Sequence, residues 1–280
     1  MGGSKRAIWG FVMGVAVARD ARSFASRLED VLNDIEYAEA ASETVRNEVF
    51  RLRYESYLAE GAIDPNPEHR FSDDYDKLDN CWIFGIKLAG ELVSSVRFHV
   101  LSKASRRGPA LDVFPDIVSP MIESGMTLVD PTRLVVSRSA SRQHPELPYL
   151  TVRIACMASE YFNAGNCLAT VRVEHLAFYQ RIFGFVPVCE PRPYPTLKRP
   201  IALMIGDMRE IRDRVADKYP VFTSTEAERL SLFGRPGAAL FRAPTLTPIP
   251  AMAALAAAAS RASNGVMVDE FSDRSPATVD

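Results

Sequence analysis

Thr127-Leu128-Val129-Asp130-Pro131-Thr132-Arg133-Leu134-Val135-Val136 is a β-branched, apolar run broken by a proline. Its composition is that of a strand, yet Pro131 has no N–H to donate to a ladder, so the strand carries a bulge or an edge at that point. Upstream, Trp82–Leu88 and Leu92–Val100 flank Ala89-Gly90-Glu91 and read as a hairpin. Residues 102–127 read as loop, with short apolar pieces at Val113-Phe114 and Ile117-Val118. Downstream, Leu150, Ile154, Met157, Ala158 and Tyr161-Phe162 recur at helical spacing over 149–164. A strand at 167–171, a short helix from His175 to Phe183 stopped by Gly184, strands at 185–188 and 201–205, and a charged helix at 207–218 complete the pattern.

Residues 20–60 read as helical. Leu28, Val31, Leu32 and Ile35 recur at spacings of three and four, and Ser42 with Glu43 opens a second, capped helix that Gly61 stops. The order of elements is that of one mixed α/β domain over residues 36–235, after an N-terminal extension at 1–35 and before a tail at 236–280. That tail holds 12 Ala and 5 Pro in its 45 residues, too few large apolar side chains to fold alone, although 251–262 can form an alanine helix.

The 280 residues carry a formal net charge of −2, and 24% of them are charged, so there is no basic footprint for nucleic acid. The charge is unevenly divided: residues 31–80 hold 13 acidic against 5 basic side chains, leaving +6 for the rest. Cys81, Cys156, Cys167 and Cys189 form no CxxC pair, and their spacing fits buried thiols in a reducing compartment, the cytoplasm. HExxH, GxSxG, the Walker A pattern and GxGxxG are all absent, which removes the usual fingerprints of zinc proteases, α/β-hydrolases, P-loop NTPases and Rossmann enzymes, and no metal site is expected. The apolar run 7–18 is too short to span a bilayer and reads as a packed element, a signal h-region or a peripheral surface anchor.

Four segments together resemble the GNAT acyltransferase superfamily, and within it the branch that takes acyl-carrier-protein thioesters: the acyl-homoserine-lactone synthases and the long-chain N-acyl amino acid synthases. They are Arg46–Arg53, Asp73–Asp79, Ser95-Val96-Arg97 with the later Leu111–Pro115, and Asp130–Val136; Phe178–Phe185 resembles the superfamily's short helix ending in Gly-Phe. The likeness covers roughly residues 43–206. It implies a GNAT-like, mostly antiparallel central sheet with splayed middle strands flanked by helices. Ser56-Tyr57 stands near the point where the lactone synthases have a tryptophan, and Asp130 where they have glutamate, which favours the N-acyl amino acid synthases. Ser139–Pro145 replaces the Gly-rich coenzyme-A loop, as suits a carrier protein whose pantetheine bears one phosphate.

By this resemblance Asp130, Arg133 and Tyr179 are the catalytic candidates, and Arg46, Phe50, Asp73, Asp76 and Arg97 hold the substrate. Leu134, Val135, Val136, Ser137 and Phe178 would take the acyl-pantetheine arm. The acids can hold or deprotonate an ammonium, and the arginines can clamp a carboxylate or organise those acids in a structural ion-pair network. His175 lies four residues before Tyr179, where a packed histidine and a base are both open. Phe98, Val100, Met126, Leu128, Met157 and Phe162 are candidates for an acyl tunnel or for plain core, and Lys103, Arg138, Arg142 and Arg153 for docking an acidic carrier protein. The expected activity is transfer of a fatty acyl group from acyl-carrier protein or acyl-CoA to the amine of an amino acid or similar molecule, with no tightly bound cofactor. The alternatives are autoinducer synthesis from S-adenosylmethionine and a non-catalytic carrier-binding module.

Overall fold

A computed structural model describes residues 23–194 and 197–242. The N-terminal apolar run and the alanine-rich 251–262 lie outside the described residues. Ser23 caps α1 (Phe24–Asp34), its hydroxyl accepting from the Ser26 N–H at 3.1 Å. The helical reading of 20–60 then fails over five residues, because Ile35–Glu39 is an edge strand, β1. Ile35 and Tyr37 alternate with polar neighbours as well as fitting a helix, and the Tyr37 hydroxyl donates to the Leu150 carbonyl at 2.8 Å. Ser42 caps α2 (Glu43–Ala59), which buries Val49, Phe50, Leu52, Arg53 and Tyr54. β2 (Cys81–Leu88) and β3 (Glu91–Leu101) form the expected hairpin, turning through Ala89 and Gly90, both at positive φ.

Residues 102–127, read from sequence as loop, contain α3 (Pro109–Val113) and α4 (Pro115–Glu123). Each begins on a proline, the first-turn position where a missing N–H costs nothing. Pro120 inside α4 further obscured the helical pattern. Then follow β4 (Leu128–Val136), α5 (Arg138–Gln143), α6 (Leu147–Tyr161), β5 (Asn166–Arg172), α7 (Leu176–Phe183), β6 (Val186–Pro187), β7 (Ile201–Asp207), α8 (Met208–Ala216) and α9 (Glu226–Phe233).

The seven strands form one sheet in the order β1-β2-β3-β4-β5-β7-β6. Every neighbouring pair is antiparallel except β4–β5. That parallel pair meets only at Leu128–Asn166 and Val129–Cys167, whereas β5 pairs with β7 along all seven of its residues. The sheet is therefore open between β4 and β5, with a V-shaped gap. α2, α3 and α4 cover one face, their apolar residues packed on Cys81, Ile83, Leu101, Leu128 and Leu203. α1 and α6 to α9 cover the other, over Trp82, Phe84, Val96 and Phe98.

The domain is wider than 36–235. α1 buries Leu28 against the main core, and a 3-10 turn at Ala238–Phe241 sets Phe241 edge-on to Trp82 at 5.4 Å. Arg235 lies 4.1 Å over the Trp82 ring and pairs with Glu39 at 2.6 Å. From α9, fully buried Phe233 reaches Phe84, Phe98, Tyr161 and Phe162, with ring centroids 5.6–6.0 Å away. Phe233→Ala is expected to cost about 3–5 kcal/mol in urea unfolding, since the sheet behind it cannot collapse into the hole; a loss under 1 kcal/mol would show that α9 is an appendage.

Candidate active site

Register fixes the first feature. Arg97 opposes Thr132 and Ser95 opposes Val135, so Val96 faces two residues, Arg133 and Leu134. The bulge thus lies at Arg133, two residues beyond Pro131, which keeps regular register with Phe98. Pro131 lies two residues beyond Val129, the last β4 residue that pairs with β5, so it sits at the edge created by the gap. Arg133 has φ +54°, the left-handed region that side chains other than glycine rarely enter. The bulge turns its side chain to the α2 face, where strand alternation already places Arg97, His99, Asp130 and Thr132.

There Arg133 donates to the Asp73 carboxylate at 2.7 Å and lies over Phe71 at 4.5 Å and Tyr194 at 5.2 Å. Asp73 caps a 3-10 turn at Asp74–Lys77, and the Asp76 carboxylate accepts the Asp73 N–H at 2.9 Å, a reciprocal box that aims both acids at the sheet. Asp76 takes Arg53 at 2.8 Å and Arg97 at 3.0 Å, while Arg97 also pairs with Asp73 and donates to Thr132 at 3.0 Å. Three buried guanidiniums therefore surround two carboxylates. Burial alone would raise both acids, but the arginine charges outweigh it and hold Asp73 and Asp76 below the usual carboxylate range.

The expected substrate-binding set is thus brought together, with its labour divided differently. Arg46 spends its donors on the Ala40 and Asp76 carbonyls, both at 3.0 Å, and Phe50 is a buried shelf 5.3 Å from the Arg53 guanidinium. These two build the network from behind. Arg53, which the site reading omitted, is at its centre and fully buried. Its signal was its place two turns after Arg46 on the same helix face.

A cavity of about 460 Å³ threads the gap between β4 and β5. Tyr57 and Arg133 line its polar end, Leu134, Val135, Val136, Phe178 and Tyr179 its flank, and Ala155, Phe183 and Ile211 its apolar part. Ser137 is not on the wall; its hydroxyl caps α5, accepting from the Ala140 N–H at 3.2 Å. The six proposed tunnel residues are not on it either. Phe98, Val100, Met157 and Phe162 are core around Trp82, and Met126 and Leu128 pack under α3 and α4. Burial pushes the Tyr179 hydroxyl well above its ordinary value, so it is neutral and can donate a proton. His175 stands at the cavity wall beside Arg172, 2.9 Å away.

Asp130 is fully buried behind this wall. One oxygen accepts the Ala110 N–H at 3.1 Å, and burial pushes the carboxyl up to about 7 against the opposing pull of that N–H and of Arg97. The four expected docking cations do not form one surface. Arg138 and Arg142 are exposed on α5, whose Ser141 lines the cavity. Lys103 follows the end of β3 that pairs with Leu128, at the far end of the sheet from α5. Arg153 is buried, paired with Glu228 at 2.6 Å and donating to the Val221 and Thr223 carbonyls, because α9 and the preceding turn close over it. Among the described residues, no group of three or more His, Cys, Asp or Glu side chains is placed to hold a metal ion, and no helix is long and apolar enough to cross a membrane.

The family profile described as N-acyl amino acid synthase FeeM matches residues 48–207, the span that holds the gap, the bulge and the ion cluster. The chain belongs to this family. It is an N-acyltransferase with a GNAT-like fold. The solved structure of FeeM, an N-acyl amino acid synthase from uncultured soil microbes, superposes with a TM-score of 0.53 at 14% identity, covering 64% of this chain and 94% of that one. TofI, solved in a ternary complex with an inhibitor and MTA, gives 0.51 at 14% identity over 68% of this chain and 100% of its own. The AHL synthase LasI gives 0.50 at 12% identity over 64% and 94%. No curated protein sequence matches the chain.

Asp130 gives the site a pH signature. Its folded pKa lies above that of an unfolded aspartate, so the folded state binds the extra proton, and its contribution is lost as pH rises from about 4 through about 7. Asp130→Asn removes this pH dependence. Melting curves should show the variant gaining on the wild type between pH 5 and pH 8; a constant difference would mean that Asp130 is ionised in the folded protein.

Proposed function

We propose that the enzyme transfers a fatty acyl group from acyl-carrier protein to the amine of an amino acid or a similar small amine. The observation that carries this reading is one continuous cavity running from Arg133, whose guanidinium is held by Asp73, through the β4–β5 gap, to an apolar pocket under α6, α7 and α8. One end suits a charged acceptor, the other an alkyl chain, and the thioester carbonyl falls between them.

Beyond Val129, β4 has no β5 partner, so main-chain groups on that side of Leu134–Val136 are free to receive the pantetheine amides and the oxyanion. The neutral amine attacks the thioester carbon, forming the C–N bond. The C–S bond then breaks, the thiolate takes a proton from the Tyr179 hydroxyl, and the amine nitrogen gives up its own. Asp73 is a weak base beside two arginines, whereas Asp130, with a pKa near 7, suits the proton the amine loses. Arg133 anchors the acids and the acceptor's own anionic group. Arg138 and Arg142, beside the cavity, are the docking cations for an acidic carrier.

Purified enzyme with acyl-carrier protein or acyl-CoA and a panel of amino acids, read by mass spectrometry, is expected to yield an N-acyl amino acid, and faster from the carrier protein. Reversing Arg138 and Arg142 to glutamate should raise the KM for the carrier thioester more than that for the amine. No N-acyl product from any acceptor contradicts the reading, and a lactone with methylthioadenosine would redirect it to autoinducer synthesis.

A further inference from the structure

In and beside the ion cluster, the buried polar atoms without a hydrogen-bond partner among the described residues include Arg53 Nε and Nη2 and four more: Arg97 Nη2, His99 Nδ1, Asp130 Oδ1 and the Tyr194 hydroxyl. Three of these four share one patch of sheet. Arg97 and His99 are two apart on β3, His99 is directly opposite Asp130, and Arg97 is opposite Thr132. Side chains opposed in this way stand about 5 Å apart on the same face. The fourth comes from the connection between β6 and β7. The Tyr194 ring lies 5.2 Å from the Arg133 guanidinium, and its hydroxyl is within the field of Arg133, Arg97, Asp73 and Asp130. The four residues are 0–6% exposed.

Buried polar atoms are nearly always paired, so four orphans at one place need an explanation in the chemistry of the site. Their donor pattern is specific. His99 Nε2 faces the Tyr75 carbonyl at 3.0 Å, and a carbonyl only accepts. Nε2 therefore carries the proton, and Nδ1 is a bare acceptor. Asp130 Oδ1 and the tyrosine oxygen can also accept, while Arg97 Nη2 only donates. The three acceptors complement a primary ammonium, and the Arg97 and Arg53 donors complement an oxygen acceptor beside it. Thr132 and Arg133, which adjoin these atoms, line the cavity, as does Leu197, whose N–H bonds the Tyr194 carbonyl at 3.0 Å.

We propose that Arg97, His99, Asp130 and Tyr194 form the acceptor subsite, and that His99 and Tyr194 are specificity residues holding the amino group of an amino acid. The proposal rests on the acyltransferase reading for its place in the reaction, but not for its binding test. The amine is held beside Asp130, and the acyl chain enters from the opposite end of the cavity.

Tyr194→Phe keeps the ring on Arg133 and removes only the hydroxyl; His99→Gln is the companion variant. With the amino acid that turns over fastest, Tyr194→Phe is expected to raise the amine KM at least tenfold, leaving the acyl-donor KM within twofold and the melting temperature unchanged. An unchanged amine KM, or an equal rise in both constants, overturns the proposal; a role in holding ordered water alone predicts that unchanged amine KM. Binding is read separately by calorimetry with each of the twenty amino acids. Heat that is present in the wild type and lost in both variants supports the subsite even where no N-acyl product forms, an outcome that would remove the acyltransfer reading alone. Equal heats in wild type and variants, or none in the wild type, overturn it.

Discussion

The left-handed backbone at Arg133 is the constraint on which the site depends. Strand alternation would point this side chain to the α6 face, away from every acid in the cluster. The extra residue in the bulge reverses it, at a conformational cost of about 1–2 kcal/mol. That cost is offset locally by the ion pair with Asp73 and the rings of Phe71, Tyr57 and Tyr194 around the guanidinium. The same stretch of β4 is the one that β5 abandons, so the bulge and the gap occupy one place in the sheet. Charge and cavity meet there for that reason.

The ion cluster joins α2, the 3-10 turn, β3 and β4 into one rigid floor. Arg53 and Arg97 are fully buried and share Asp76, so neither charge has water to fall back on. Removing one member would leave a buried charge uncompensated, which is costly in any fold. Such an arrangement holds Arg133 in place as donor and acceptor enter. Its counterpart on the other face is the aromatic stack of Trp82, Phe84 and Phe98, closed by Phe233 from α9. That closure lies outside residues 48–207, the span matched by the family profile.

Much of this was legible in the chain. The hairpin, the interrupted strand and the Gly184-stopped helix have local signals, and the acids and arginines sit at intervals that resemble the family's. Other parts were hidden for physical reasons. β1 satisfied helical and strand periodicity at once, and only its partner β2 decides between them. α3 and α4 were masked by prolines that mark helix starts as often as loops. Arg153 looked like a surface cation because nothing local shows that α9 will cover it. His99 and Tyr194 are the clearest case. Neither has a motif, and their shared role exists only once β3–β4 register and the β6–β7 connection bring them to Asp130.

The central claim is that donor and acceptor meet in the gap between β4 and β5. A crystal structure with a non-hydrolysable acyl-pantetheine amide tests it most directly. The account predicts the pantetheine amides along Leu134–Val136 and the alkyl chain against Ala155, Phe178 and Phe183, with the carbonyl carbon facing Arg133. Density for the ligand on any other face of the sheet, with the gap empty, would contradict it.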